Sequence, residues 1–157
     1  MNKLFMIGLG GSMQGANIEV HDLQFVIAEK LEDTYEVLKN RWYGTSLHID
    51  SYTVMQEIDG YKLDLEIAGK ESLYMVVYGG YSKKELSELH AFHFVIASSK
   101  KQAKEFGKKE MAKFAYMDHI DEVVDVSRNA GQNFGYLKGS YASSNNEAIH
   151  TFIKLID

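Results

Sequence analysis

The residues best suited to chemistry in this chain are histidines that stand two positions from a carboxylate. Glu19 precedes His21 by two positions, and Asp50 follows His48 by two. Residues two apart on a β-strand point to the same face, with Cα atoms roughly 6.5 Å apart. Imidazole and carboxylate are metal ligands and also general acids or bases. If the two pairs came together, they would supply up to four ligand atoms.

Both pairs occur a second time, as Glu88 with His90 and as His119 with Asp121. The Glu-x-His pairs belong to an internal duplication, in which residues 4–28 return as residues 73–97 at a constant offset of 69 with ten identities in 25 positions. Average residue usage would give about one or two identities by chance. The repeat continues less tightly, with H-I-D at 48–50 answered by H-I-D at 119–121. Each half of the chain therefore carries the same set of candidate residues.

Two interpretations of these pairs are open. In the first, each histidine is a partly buried polar residue, and its hydrogen bonds to its acid or to a backbone group fix the geometry of the sheet. In the second, the pairs bind a metal ion or catalyse a reaction. The chain has no established ligand motif such as H-E-x-x-H, so the sequence favours the structural interpretation. No cofactor is predicted, and a metal site is kept as the alternative.

Pairs of glycines end the first strand of each copy, at Gly10-Gly11 and Gly79-Gly80. Glycine adopts positive φ readily, so the pattern predicts a turn or bulge there. Such a stretch could also bind phosphate through backbone N–H groups. Residues 8–12 lack the Gly-Lys-Ser/Thr of a P-loop and the glycine spacing of a dinucleotide fingerprint, so a tight turn is favoured.

One predicted helix has a basic face, and it could contact an anionic partner or nucleic acid. Its lysines are Lys100, Lys101, Lys104, Lys108, Lys109 and Lys113. The net charge of −5 and the pI near 5.7 disfavour a general nucleic-acid binder, and a solvated helix face is the ordinary explanation. The first predicted helix is acidic, so contact between modules of one chain or of a homodimer is a further interpretation.

Hydrophobic periodicity predicts the elements that position these residues. Each copy has a buried strand, a second strand that starts at the histidine of the Glu-x-His pair, a helix and two further strands. The predicted ranges are 3–9, 31–43, 52–58 and 61–67 in the first copy, and 73–78, 100–115, 122–127 and 134–138 in the second. The dipeptide Asp59-Gly60 predicts a hairpin between strands 52–58 and 61–67, and Ser98 or Ser99 is the predicted N-cap of the second helix.

The fold class that follows is α+β. Two β-β-α-β-β modules are related by a pseudo-two-fold axis, with a mostly antiparallel sheet and helices packed on one face. The predicted modules are 1–70 and 71–142, and residues 143–157 form a C-terminal extension packed on the second module, as a short helix or a strand. A module of about seventy residues is near the limit for an independent core, so the two are expected to pack as one unit.

Composition narrows the class of protein. The chain is 45% hydrophobic and 25% charged, and no apolar run approaches the ~20 residues of a membrane span. It contains no cysteine, which excludes disulfides, thiolate metal sites and a cysteine nucleophile. A soluble cytoplasmic protein is expected.

Four short stretches resemble one known family. They are L-G-G at 9–11, E-x-H-D at 19–22, H-I-D-S-Y at 48–52 and D-G-Y at 59–61. They resemble the bacterial family called domain of unknown function 1543, whose members carry one or two copies of such a module. The resemblance covers almost the whole chain and weakens after Val126. It implies a tandem two-copy bacterial protein and brings no activity. Ala91 replaces Asp22 in the second copy, so a role for Asp22 would not be shared.

Three classes of function remain, in this order of preference. A non-catalytic binding or scaffold protein that self-associates predicts hydrogen-bonded histidines inside the molecule. A metal- or acid/base-dependent enzyme acting on a small molecule predicts that the Glu-x-His and His-x-Asp pairs converge. A binder of an anionic partner through the lysine helix predicts salt-sensitive binding.

Overall fold

The computed structural model of this chain describes residues 1–58, 60–138 and 146–157. In these residues, short helices accompany antiparallel sheets, which confirms the predicted α+β class. No helix among them is long and apolar enough to cross a membrane. The chain divides into two compact units with a boundary between Glu57 and Ile58.

The first unit is built on a four-stranded antiparallel sheet. Its elements are β1 (Lys3–Gly11), β2 (Val20–Ala28), a 3₁₀ turn (Leu31–Thr34), α1 (Tyr35–Arg41), β3 (Leu47–Met55) and the C-terminal strand β10 (Ile149–Ile156). The strand order is β10-β3-β1-β2. The helix predicted over 31–43 is thus present as a 3₁₀ turn followed by two turns of α-helix.

One face of this sheet packs against α1. Phe5, Ile7 and Leu9 alternate along β1 and share a core cluster with Leu38 of α1 and Ile49 of β3. Each is at most 3% exposed, and burying one such side chain stabilises the fold by roughly 1.5–3 kcal/mol. Because neighbours along a strand point to opposite faces, Gly8 and Gly10 lie on the other face of the sheet.

The second unit is built on a three-stranded antiparallel sheet whose central strand, like β1 in the first unit, lies between two antiparallel neighbours. Its sheet has the order β7-β6-β8, made of β6 (Ser72–Gly80), β7 (Leu89–Ala97) and β8 (Met117–Asp125), with α2 (Lys100–Glu110) between β7 and β8. The hydroxyl of Ser99 accepts a hydrogen bond from the backbone N–H of Gln102 and caps α2, as the sequence predicts. Tyr78 of β6 donates a 2.8 Å hydrogen bond to the carbonyl of Gly107 and holds α2 on the sheet.

Further elements complete the second unit. They are β5 (Tyr61–Asp64), α3 (Val126–Ala130) and β9 (Gly135–Lys138), and the two-residue strand β4 (Glu57–Ile58) spans the boundary. The strand predicted over 122–127 is wrong at its end, because Asp125 accepts a 2.9 Å hydrogen bond from the N–H of Arg128 and starts α3 there. The predicted hairpin turn contains Asp59, which lies outside the described residues.

Two predicted boundaries differ from the structure. Residues 143–157 were expected on the second module, but β10 pairs with β3 of the first unit. Ile153, Leu155 and Ile156 add apolar area to the core of that unit, which explains the placement. The first module was expected to end at residue 70, whereas β5 pairs with β9 in the second unit.

The glycine pairs agree with their prediction only in part, since the ladder between β6 and β8 shifts register at Gly79-Gly80 as at a bulge. Gly10 and Gly11 lie in β1 and Gly79 and Gly80 in β6, so none of them forms a turn. Among the described glycines, positive φ occurs at Gly15, Gly60 and Gly131. Glycine is instead required at these positions because a side chain would collide with neighbouring atoms.

Candidate metal centres

Four side chains converge above Gly10 at the end of β1, and we call them the first cluster: Glu19, His21, His48 and Asp50. Gly10 lies opposite His21 in the β1–β2 ladder and opposite His48 in the β1–β3 ladder. Laterally paired residues project from the same face, so the two imidazoles stand on either side of a position without a side chain. A methyl group on Gly10 would lie 2.7 Å from Nε2 of His48 and 2.7 Å from Oδ2 of Asp50.

A β-bulge brings Asp50 into this group. Ser51 pairs with Gly8 and Ile49 pairs with Leu9, which leaves Asp50 as an extra residue without a partner on β1. A bulge re-aims side chains locally. Here it adds a carboxylate to the face that already carries His48, while Ile49 keeps its place in the core below.

Within the first cluster, each histidine faces both carboxylates through Nε2. His48 Nε2 lies 3.0 Å from Oδ1 of Asp50 and 3.7 Å from Oε2 of Glu19. His21 Nε2 lies 3.6 Å from Oδ2 of Asp50 and 4.0 Å from Oε2 of Glu19. The side chain of His48 is 8% exposed and that of His21 is 62% exposed, so one imidazole is buried and the other faces solvent.

The second unit contains an equivalent group above Gly79, which we call the second cluster: Glu88, His90, His119 and Asp121. Gly79 lies opposite His90 and His119 in the two ladders of β6. Asp121 is again the extra residue of a bulge, because Val77 pairs with Glu122 and Tyr78 with Ile120.

Distances in the second cluster are mostly shorter. His119 Nε2 lies 2.9 Å from Oδ1 of Asp121 and 3.0 Å from Oε1 of Glu88. His90 Nε2 lies 3.0 Å from Oδ2 of Asp121 and 3.7 Å from Oε2 of Glu88. One ligand atom from each of Glu88, His90 and Asp121 lies within 4.8 Å of the others. Oε1 of Glu88 is buried, and Nε2 of His119 lies 3.0 Å from it.

The other ring nitrogen of His119 contacts a further acid. Its Nδ1 forms a short hydrogen bond with the carboxylate of Asp118. This hydrogen bond is the main reason that the pKa of His119 lies above its ordinary value, and the charge of Asp121 acts in the same direction. Sequence reasoning did not select Asp118, although its position directly before His119 in D-H-I-D was a usable signal.

A second unforeseen neighbour is Phe152 of β10. Its ring centroid lies 4.6 Å from that of His48, with an interplanar angle of 33°. The sequence pattern gave no indication of this contact, because it depends on β10 pairing with β3.

The basic face of α2 remains a prediction. Lys100 forms a 2.8 Å ion pair with Glu122, and Lys113 pairs with Glu110, so part of the positive charge is neutralised within the unit. Lys104 and Lys108 are exposed.

Comparison with known proteins gives a family match and a structural neighbour. Residues 16–65 match the family model Domain of Unknown Function (DUF1543). No curated protein matches the sequence significantly. The crystal structure of a protein Il1583 from Idiomarina loihiensis is similar over 100% of both chains, with 26% sequence identity and a TM-score of 0.69. The family match, which spans all four residues of the first cluster, supports the resemblance to the DUF1543 family.

Proposed function

We propose that this protein binds divalent transition-metal ions, one at the first cluster and one at the second. The observation that carries the proposal is geometric. In each unit, two Nε2 atoms and two carboxylates converge so that every histidine lies within 4.0 Å of both acids.

These distances bracket the edges of a coordination polyhedron. Metal bonds of about 2.0–2.2 Å at tetrahedral angles place ligand atoms roughly 3.3–3.6 Å apart. The histidine–carboxylate distances are 3.0–4.0 Å in the first cluster and 2.9–3.7 Å in the second. Side-chain adjustments would bring the ligands of each cluster onto one ion, and in the second cluster ligand atoms of Glu88, His90 and Asp121 already lie within 4.8 Å of one another.

Charge supports the same conclusion. Two neutral imidazoles and two carboxylates carry a charge of −2, which a divalent cation neutralises. Without a cation, the two carboxylates of each cluster repel each other unless a histidine takes up a proton. Two nitrogen and two oxygen ligands suit zinc, manganese or iron(II), whereas calcium and magnesium prefer oxygen ligands alone.

Exposure favours metal binding over a purely structural role for the histidines. A scaffold role predicts that they are hydrogen-bonded inside the molecule, which fits His48 at 8% exposed, but His21, His90 and His119 are 62%, 44% and 41% exposed. Because these three imidazoles are partly exposed, solvent or a small molecule can reach a bound ion. We therefore place a metal-dependent enzyme or metal-binding protein ahead of a scaffold.

The test is elemental analysis of protein purified without chelator or affinity tag, followed by zinc titration of the EDTA-stripped protein. We expect two ions per chain and a melting temperature that falls on stripping and returns with zinc. Replacing His150, an exposed histidine of β10 outside both clusters, by Gln provides a control that leaves the stoichiometry unchanged. Protein that takes up no ion at micromolar zinc would reject the proposal.

The tandem two-copy arrangement is part of the proposal. It is supported by the duplicated sequence and by the same ladders around β1 and β6. The pseudo-two-fold axis, homodimer formation and cytoplasmic location remain predictions.

A further inference from the structure

We propose that the two clusters bind metal with unequal affinity, and that Asp118 is the positioning residue that makes the second cluster the tighter site. This inference rests on the proposed metal-binding function. It concerns which site is filled when metal is scarce.

Asp118 holds His119 in the orientation that a metal ligand needs. Its carboxylate accepts a hydrogen bond from Nδ1–H and leaves Nε2 directed at Glu88 and Asp121. A carboxylate behind a ligating histidine fixes the tautomer and the ring orientation and increases the basicity of the ligand nitrogen. His119 is thus prepared for metal binding before the ion arrives.

The first cluster lacks this arrangement. H-I-D at 48–50 corresponds to H-I-D at 119–121, so the counterpart of Asp118 is Leu47. Leu47 is fully buried in the core and has no polar group to offer. The neighbour of His48 is instead the ring of Phe152, which is not a hydrogen-bond acceptor comparable to a carboxylate.

The carboxylate ligands show the same inequality. The carboxylates of Glu88 and Asp121 are 28% and 29% exposed, whereas those of Glu19 and Asp50 are 51% and 37% exposed. Less exposed carboxylates are screened less by solvent and attract a cation more strongly. The second cluster also has three histidine–carboxylate distances at or below 3.0 Å, and the first has one. The second cluster is thus the more compact of the two, and ligand atoms of Glu88, His90 and Asp121 lie within 4.8 Å of one another.

The functional consequence is ordered loading. At limiting metal, the protein carries one ion in the second unit. The first cluster fills only when more metal is available. A chelator of intermediate strength would remove the ion of the first cluster and leave that of the second.

The experiment is zinc titration of the full chain against a chromophoric chelator at about pH 8. His21→Gln disables the first cluster and His90→Gln the second, so each affinity is measured alone. We expect Asp118→Asn to weaken the second cluster by 10–100-fold, the usual effect of losing such a partner. Asp118→Glu should restore part of the affinity, and Asp33→Asn, an exposed aspartate elsewhere, should change neither site.

Melting of the metal-free variants separates positioning from folding. Asp118 is 65% exposed, so Asp118→Asn should melt like the wild type in EDTA at this pH. Equal affinities of the two clusters, or a lower melting temperature of metal-free Asp118→Asn, would overturn the inference and leave the proposed function standing. Failure of both clusters to bind zinc would reject the proposed function itself.

Discussion

Gly79 lies directly opposite His119 in the ladder between β6 and β8, and a methyl group on this glycine would come 2.6 Å from Nε2 of the histidine. Real Cβ atoms do not approach a neighbour so closely, so any other residue would force the cluster apart. The glycine is therefore required by the site that stands on it, whereas the fold alone would accept a larger residue in a strand.

Gly79→Ala should abolish or weaken at least tenfold the binding of zinc at the second cluster. The added methyl would contact Nε2 of His119, Oε1 of Glu88 and Oδ2 of Asp121, which are ends of side chains that can rotate away. The metal-free fold should consequently lose little stability. Titration calorimetry and a thermal melt in EDTA measure the two effects.

Gly10→Ala is the matched variant for the first cluster and should leave the second intact. If Gly79→Ala still bound two ions with wild-type affinities, the second cluster would not be the metal site.

Metal binding should stabilise each unit according to occupancy. A ligand that binds only the native state at 100 times its Kd adds about 2.7 kcal/mol to the free energy of unfolding. We expect zinc to raise the melting temperature of the wild type and to raise it less in His21→Gln or His90→Gln. Scanning calorimetry with zinc and with EDTA provides the comparison, and identical shifts in all three proteins would contradict it.

Most strands, the helices α1 and α2 and the eight cluster residues could be predicted from sequence because local patterns determine them, whereas α3 replaces the end of a predicted strand. Alternation of apolar residues identifies β1 and β6, and duplication identifies which polar residues matter to both copies. The placement of β10 could not be predicted, since its residues satisfy the strand and the short-helix pattern about equally and only pairing with β3 decides between them.

The turn predicted at Gly10 is wrong because a glycine in a sequence ordinarily indicates a backbone with positive φ. Sequence gives no register between strands, so the alignment of Gly10 with His21 and His48 was not accessible. The bulges that add Asp50 and Asp121 could not be predicted for the same reason, since they depend on how β3 and β8 pair with their neighbouring strands.

The pH dependence of the metal-free protein should report the contact between Asp118 and His119. The hydrogen bond to Asp118 raises the pKa of His119 above its ordinary value of 6.5. A raised pKa in the folded state means stability that is fully present below pH 6.5 and lost as pH rises through the folded pKa. In EDTA, the melting temperature of the wild type should exceed that of Asp118→Asn at about pH 6 and converge with it at about pH 8.

The affinity for metal should instead rise with pH, because protons compete with the ion for histidine. If the melting temperatures of wild type and Asp118→Asn in EDTA differed by the same amount at about pH 6 and at about pH 8, the contact would not change the protonation of His119.

Tyr136→Phe should leave the stability of the protein unchanged or raise it. The hydroxyl of Tyr136 is buried, and its contact with Ser127, which lowers the pKa of Tyr136 less than burial raises it, lacks the geometry of a full hydrogen bond. A buried polar group without a partner costs about 1–3 kcal/mol, and phenylalanine removes the group while its ring keeps the contact with Phe134. Tyr78→Phe is the matched control, since the Tyr78 hydroxyl donates to Gly107 and its loss should destabilise by about 1 kcal/mol.

Alkaline unfolding gives a second measure of the same hydroxyl. Burial raises the pKa of Tyr136 to about 12 from 10.0, so the wild type should lose stability as pH rises from 10.0 towards 12. Tyr136→Phe should lose less over that interval, because the phenol that ionises more readily in the unfolded chain is absent. Chemical denaturation at neutral and alkaline pH measures both variants. If Tyr136→Phe destabilised the neutral protein as much as Tyr78→Phe does, the contact of the Tyr136 hydroxyl with Ser127 would be a full hydrogen bond.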